Sequence, residues 1–292
     1  MKGLIEKGIL EEQSFQQDRL LYDFKKINPV RTLSEAQKAA LDKIISTFED
    51  KSVVLFQGVT GSGKTEVYIE LINRALERGQ QVLYLLPEIS LTPQMVRRLQ
   101  ERFGPEVTVY HSKFSIHERT EVWRNILEKK PNAKIIVGTR SALFLPFNDL
   151  GLIVVDEEHE LSYKQFDPSP RYNARDSAVV LAGIHLAKVL LGSATPAVES
   201  SFNHMIGKYG WVKLRERYGQ VALPEIMTVD LKSAYKKKQL KGGFSKILVQ
   251  EIEQTLAMGK QIILFQNQRG YAPVLECLDC GHMPQCHQCD VT

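Results

Sequence analysis

Cysteine is scarce in this chain and confined to one end. Only four of 292 residues are cysteine, all from Cys277 onward, so no disulfide scaffold can hold the body together. Their grouping in pairs points to metal binding and a reducing cytoplasm. Long hydrophobic runs are also missing, since none approaches the roughly 20 residues that a membrane span needs. Met1-Lys2-Gly3-Leu4-Ile5-Glu6 has no long apolar core, so secretion is not expected and the chain reads as cytoplasmic. There is no internal repeat and no low-complexity tract. The charge balance is mild at +4, which permits an acidic partner such as nucleic acid without requiring one. What remains is an ordinary globular composition, 43% hydrophobic and 25% charged, long enough for about two domains.

The most informative segment is Gly58-Val59-Thr60-Gly61-Ser62-Gly63-Lys64-Thr65, which matches the phosphate-binding P-loop pattern. Its glycines let backbone N–H groups turn toward phosphate oxygens. Lys64 is expected to reach the β- and γ-phosphates and the Thr65 hydroxyl to ligate Mg²⁺, with Glu66 completing the nucleotide site. Chance produces such a match in a chain of this length roughly once in a hundred. Val53 to Phe56 before it reads as a buried strand, and Tyr68, Leu71, Ile72 and Ala75 after it fall at helical spacing. Strand, loop and helix are the setting that a P-loop requires.

Apolar, β-rich runs recur at Val82 to Leu86, Val107 to Tyr110, Ile135 to Val137, Leu152 to Val155 and Val189 to Leu191. Helical patterns such as Gln94 to Phe103 and His117 to Lys129 lie between most of them, which indicates an α/β domain with a mostly parallel sheet. Ligands of such sheets gather at the carboxyl ends of the strands. Gly58, Pro87, Gly138, Asp156 and Gly192 each follow a strand, so one site assembled from several loops is expected. The domain is expected over residues 32–204, and residues 205–243 read as a less regular linker. A helix at Ile247 to Met258 and a strand at Gln261 to Phe265 open a further element group over 244–276.

Leu152-Ile153-Val154-Val155-Asp156-Glu157-Glu158-His159 is an apolar strand ending in an acidic cluster. Phosphoanhydride hydrolysis needs a metal held opposite the P-loop and a group that positions and deprotonates water. Asp156 is expected to hold Mg²⁺ and Glu157 to act as general base. Taken alone the cluster also reads as a solvated acidic turn; after a P-loop, the catalytic reading is the stronger.

These segments carry a family resemblance. Asp156-Glu157-Glu158-His159 resembles the Asp-Glu-x-His box of superfamily 2 helicases, and Gly192-Ser193-Ala194-Thr195-Pro196 resembles their Ser-Ala-Thr motif. Pro87-Glu88-Ile89-Ser90-Leu91-Thr92-Pro93-Gln94 and Gly138-Thr139-Arg140-Ser141-Ala142-Leu143-Phe144 narrow it. Together with the P-loop they resemble the primosomal DNA helicases that restart stalled bacterial replication, over nearly the whole chain.

The resemblance implies a RecA-like first motor lobe and a 3′-to-5′ DNA helicase driven by ATP. It implies single-stranded and forked DNA, other primosome proteins and single-stranded DNA-binding protein as partners, and no membrane. It places Ser90, Thr92, Arg140 and Ser141 along single-stranded DNA, with Ser193 and Thr195 in the coupling motif. Hydroxyls and Arg140 are suitable phosphate donors, although Thr92-Pro93 also reads as a helix cap. Gln37 has two readings as well. Ser34-Glu35-Ala36-Gln37 fits a capping box, while a glutamine at this offset contacts adenine in the family. Between His159 and Asp176, the aromatics Tyr163, Phe166 and Tyr172 interleave with Lys164, Arg171 and Arg175. Stacking faces beside cations suit unpaired bases and phosphates, and the segment resembles the family's aromatic-rich loop that couples DNA to hydrolysis.

Cys277, Cys280, Cys286 and Cys289 form two knuckles with the spacing of a tetrahedral zinc site. The family's zinc insert carries eight cysteines and two metals. The four present here either share one Zn²⁺ across the spacer or stay metal-free. Gln266 to Tyr271 resembles the start of the second motor lobe, and Gly3 to Leu10 the tail of the family's winged-helix domain, so 1–31 reads as a domain remnant and the chain as part of a motor. As such it is expected to bind ATP, hydrolyse it poorly and not unwind. The competing readings are another superfamily 2 motor acting on RNA or restriction substrates, and a non-motor module that binds nucleotide and zinc.

Overall fold

The computed structural model describes residues 32–88, 93–112, 114–220, 225–265 and 280. They fall in two compact units, Met1–Ala222 and Leu223–Thr292. Among the described residues the first unit begins with helix α1 (Glu35–Asp50), entered through a complete capping box between Ser34 and Gln37. Then follow β1 (Val53–Gly58), α2 (Lys64–Glu77), β2 (Gln81–Leu85), α3 (Pro93–Phe103), β3 (Val107–Tyr110) and α4 (Ile116–Leu127). The unit continues through β4 (Ile135–Gly138), β5 (Leu150–Asp156), α5 (Ala174–His185), β6 (Lys188–Ser193), α6 (Val198–Met205) and β7 (Gly210–Leu214).

All seven strands form one parallel sheet in the order β3-β4-β2-β5-β6-β1-β7. A parallel sheet must be covered on both faces, and the strands accordingly read as nearly unbroken apolar runs. Alternation then sorts them. In β1, Val54 and Phe56 enter the core beneath α1 and α2, whereas Val53 and Leu55 enter the opposite core. In β5, Val154 shares the first core with Tyr68 and Tyr84, and Ile153 and Val155 share the second with Val122 and Ala178.

The sheet extends past the expected domain end. Strand β7, from the stretch read as a linker, pairs with β1 from Val54↔Gly210 to Gly58↔Leu214. The glycine that opens β7 matters there, because a Cβ on Gly210 would come within 2.2 Å of the Thr47 side chain. A short strand at a sheet edge carries little periodic signal, which is why the sequence pattern missed it.

The second unit, described by itself, contains α7 (Leu231–Lys236), a two-stranded hairpin of β8 (Leu240–Lys241) and β9 (Phe244–Ser245), and α8 (Lys246–Ala257). The expected strand at Gln261 to Phe265 does not form: among the described residues these five have no strand ladder. An apolar run becomes a strand only when a neighbour supplies its hydrogen bonds. No helix among the described residues is long and apolar enough to cross a membrane.

Candidate active site

The strand order decides where the chemistry gathers. Strand β6 lies between β1 and β5, so the loops after these three strands end side by side at the carboxyl edge of the sheet. They carry the P-loop, the acidic box and the Ser-Ala-Thr turn.

The P-loop runs from the end of β1 into α2, whose N-cap is Gly63 with no side-chain cap. The lack of a capping side chain leaves this helix start open to an anion, which the helix dipole also favours. Gly61 and Gly63 both sit at φ +79°, in the left-handed region. Gly58 is needed for a different reason: a Cβ there would lie 2.6 Å from Lys64 Cγ and 2.8 Å from Ser62 Oγ. The Ser62 hydroxyl is buried and has no partner, the state of a donor that awaits one. Thr60 is exposed and Thr65 half-buried, at the mouth of the loop. Lys64 Nζ donates to Gly58 O at 3.1 Å and lies 3.7 Å from Glu157 Oε1. A loop of this geometry fits a nucleotide triphosphate. The oxygen-only pair Thr65 and Asp156 fits Mg²⁺ as a hard cation.

Gln37 is placed by its helix against this loop and is buried. Its Oε1 accepts from Ser34 N at 2.9 Å, and its Nε2 donates to Ser62 O at 3.0 Å. The amide thus serves the capping box and braces the P-loop together. In this arrangement its donor is directed at the loop rather than at a base. Glu66, one turn into α2, forms an ion pair with Arg98 of α3.

Asp156 closes β5, and three tyrosines converge on it. Tyr68 of α2 donates to Oδ1 at 3.0 Å, and Tyr84 of β2 donates to Oδ2 at 3.3 Å. Tyr163 donates to the Asp156 carbonyl at 2.7 Å and to Leu85 O at 3.0 Å. Oδ1 also accepts the Glu157 N–H at 3.1 Å. Burial raises the Asp156 carboxyl above its usual range and the Glu157 charge adds to this, opposed by the Tyr68 hydrogen bond and Lys64. Burial, then the Asp156 charge, pushes the hydroxyls of Tyr68, Tyr84 and Tyr163 well up, so all three remain donors.

Glu157 occupies φ +46°, a conformation that costs a non-glycine residue about 1–2 kcal/mol. The turn is held by Glu158 N donating to Gly192 O at 3.0 Å and Glu160 N donating to Glu157 O at 2.9 Å. It leaves the Glu157 carboxylate one-third exposed, facing Lys64. His159 Nδ1 meets Ser193 Oγ at 2.8 Å, and Ser193 Oγ accepts from Thr195 N at 3.0 Å. Ser193 is buried and Thr195 exposed. The acidic box and the Ser-Ala-Thr turn are thereby joined side chain to side chain.

Glu158 is fully buried and satisfied: Oε1 accepts from Ala197 N at 2.7 Å, and Oε2 accepts from Ser200 Oγ at 2.7 Å and Arg175 at 3.3 Å. Burial works against the Arg175 charge, but Asp176, by hydrogen bond and charge, and Glu158 outweigh it and raise its pKa.

The aromatic-rich segment divides by burial. Phe166 is 59% exposed with Lys164 Nζ 4.9 Å over its ring. Arg171 is exposed, and Tyr172 is half-buried edge-on against Phe144 at 5.1 Å. Tyr163 and Arg175 do not belong with them. The Tyr163 ring lies in the core at 1% exposure, and the Arg175 guanidinium is engaged by Glu158 and Asp176, so neither presents a face to a base or phosphate. Interleaving in sequence cannot tell a ring that stacks outward from one that packs inward. Arg140 donates to Ser162 O at 3.3 Å, tying the turn after β4 to this loop, and the neighbouring Ser141 hydroxyl is buried without a partner.

Ser90 and Thr92 lie outside the described residues, as do Cys277, Cys286 and Cys289; Cys280 is exposed. Among the described residues there is no cluster of three or more His, Cys, Asp or Glu side chains that could hold a metal ion. Sequence reasoning missed Tyr68 and Tyr84. Their signal was register: Tyr84 pairs with Val154, two residues before Asp156, on the neighbouring strand.

Residues 34–202 match the family model described as DEAD/DEAH box helicase. The chain is 42% identical to replication restart protein PriA of Bacillus subtilis across 100% of its own length and 36% of that protein. It is 46% identical to PriA of Rickettsia felis, covering 88% of this chain and 38% of that one. It is 42% identical to PriA of Haemophilus influenzae, covering 97% and 39%. The chain thus spans 36 to 39% of the length of these relatives. With a family model matched over more than half its length, the chain belongs to the DEAD/DEAH box helicases.

Proposed function

We propose that this chain is the nucleotide-hydrolysing lobe of a replication-restart DNA helicase, driving 3′-to-5′ translocation at stalled forks. The observation that carries it is the meeting of Lys64, Glu157, Asp156 and the His159–Ser193 contact on three neighbouring strand ends. The P-loop amides and Lys64 bind and orient the phosphates. Thr65 and Asp156 would hold Mg²⁺, which would supply charge neutralisation to the phosphates. Glu157, held close to Lys64 by its strained turn, positions a water and takes its proton.

The nucleic acid is single-stranded DNA, received by Arg140, Ser141, Lys164, Phe166, Arg171 and Tyr172, with Ser90, Thr92 and Thr195 beside them. Support comes from the exposed ring of Phe166 next to Lys164, which suits an unpaired base and its phosphate. His159 and Ser193 relay occupancy to the hydrolytic carboxylates. Primosome proteins and single-stranded DNA-binding protein are its partners, by likeness to the relatives. The cysteine pairs 277/280 and 286/289 bind zinc, as their spacing supports.

The test is ATP hydrolysis by this chain with and without forked DNA, beside a form extended by a second motor lobe. DNA stimulation in the extended form alone is expected. Bound ATP with no stimulation in either form, or a preference for RNA, defeats the DNA-motor reading.

A further inference from the structure

Asp156 is the expected metal carboxylate, yet the hydrogen bonds that orient it come from two residues that no phosphate-binding motif requires. Tyr68 and Tyr84 are both fully buried, and their rings meet edge-on at 5.9 Å. Each hydroxyl donates to a different carboxylate oxygen, Tyr68 to Oδ1 and Tyr84 to Oδ2. With the Glu157 N–H also on Oδ1, three of the roughly four acceptor positions of a carboxylate are filled. Among the described residues, one acceptor position on Oδ2 is left unfilled. A carboxylate held at both oxygens cannot rotate about its terminal bond, which otherwise has a broad, two-fold profile.

The fold protects this contact. Gly192 pairs with Asp156 across β5 and β6, and a Cβ on it would lie 1.9 Å from the Tyr68 hydroxyl oxygen. The glycine that opens the Ser-Ala-Thr turn therefore makes room for the Tyr68 hydroxyl. The hydroxyls contribute little to packing that phenylalanine would not also supply. Their chemical content is orientation of the Asp156 carboxylate at the end of β5.

We propose that Tyr68 and Tyr84 are positioning residues that clamp the Asp156 carboxylate in the orientation that accepts the nucleotide's divalent cation. This rests on the reading of the site as a Mg²⁺-nucleotide site. Groups that orient a metal ligand typically change metal affinity by 10- to 100-fold when removed.

The test is calorimetric titration of ADP into the 292-residue chain, in EDTA and across a series of Mg²⁺ concentrations, for the unaltered protein and for Tyr68→Phe, Tyr84→Phe and the double variant. The double variant is expected to need roughly 10-fold more Mg²⁺ for half-maximal tightening of ADP, with its metal-free ADP affinity unchanged. Gly192→Ala, which displaces the Tyr68 hydroxyl by contact, is expected to shift the same midpoint in the same direction. A purely structural role would lower the melting temperature and leave the Mg²⁺ midpoint in place, and that result overturns the proposal. If the unaltered chain takes up ADP in neither condition, the nucleotide-site reading itself falls; if it binds ADP with Mg²⁺ and the variants match it, only the clamp falls.

Discussion

The Glu158 carboxylate accepts the backbone N–H of Ala197 at 2.7 Å, joining the acidic box to the residue that caps α6. The same carboxylate holds Ser200 and the buried guanidinium of Arg175, so one side chain ties together β5, α5 and α6. Breaking a buried pair leaves its partner uncompensated, at a cost of about 3–5 kcal/mol. Glu158→Ala is therefore expected to lower the urea midpoint of the first unit strongly, well beyond any effect of Glu160→Ala at its half-buried neighbour.

Lys64→Ala should abolish nucleotide binding without unfolding the lobe. Its Nζ makes one hydrogen bond, to Gly58 O, and faces Glu157 across the site, so little of the fold depends on it. Calorimetry with ATP is expected to show a loss of affinity of at least about 100-fold, or roughly 2.7 kcal/mol, while the melting temperature stays close to that of the unaltered chain.

Glu157→Gln separates binding from chemistry. The amide keeps the shape of the side chain but cannot take a proton from water, a role that contributes typically 10²–10⁴-fold. ATP affinity should be retained within a few-fold while hydrolysis, measured by phosphate release in an active extended form, falls by that range. Equal losses in both would reassign Glu157 to binding.

Gln37→Ala distinguishes the brace from a base contact. The side chain donates to Ser62 O and accepts from Ser34 N, so its removal leaves the buried Ser62 carbonyl without this partner, at about 1–3 kcal/mol. As a brace, the variant weakens ATP and GTP by the same factor. A loss confined to ATP would show instead that the amide turns to adenine when nucleotide arrives.

Phe166→Ala and Tyr163→Phe should have opposite signatures. Phe166 is exposed, so losing its ring leaves the melting temperature unchanged and weakens binding of a fluorescent single-stranded oligonucleotide, by about 1–3 kcal/mol if a base stacks there. The Tyr163 hydroxyl bridges Leu85 O and Asp156 O inside the core, so Tyr163→Phe lowers stability and leaves oligonucleotide affinity alone.

The sequence by itself determined the parallel α/β class, the P-loop and the acidic box, because each depends on local pattern. Continuous apolar runs separated by helical periods specify buried strands, and a glycine-rich turn between strand and helix specifies a phosphate nest whatever surrounds it. Tertiary structure alone decided which polar groups meet. The Tyr68 and Tyr84 hydroxyls reach Asp156 from a helix and another strand, and Glu158 turned inward to Arg175 while Glu157 faced Lys64. The same held for the inward ring of Tyr163, the outward ring of Phe166 and the late strand Gly210–Leu214. A side chain's partner is fixed by strand order and register across the sheet, and neither is a property of any short stretch of sequence.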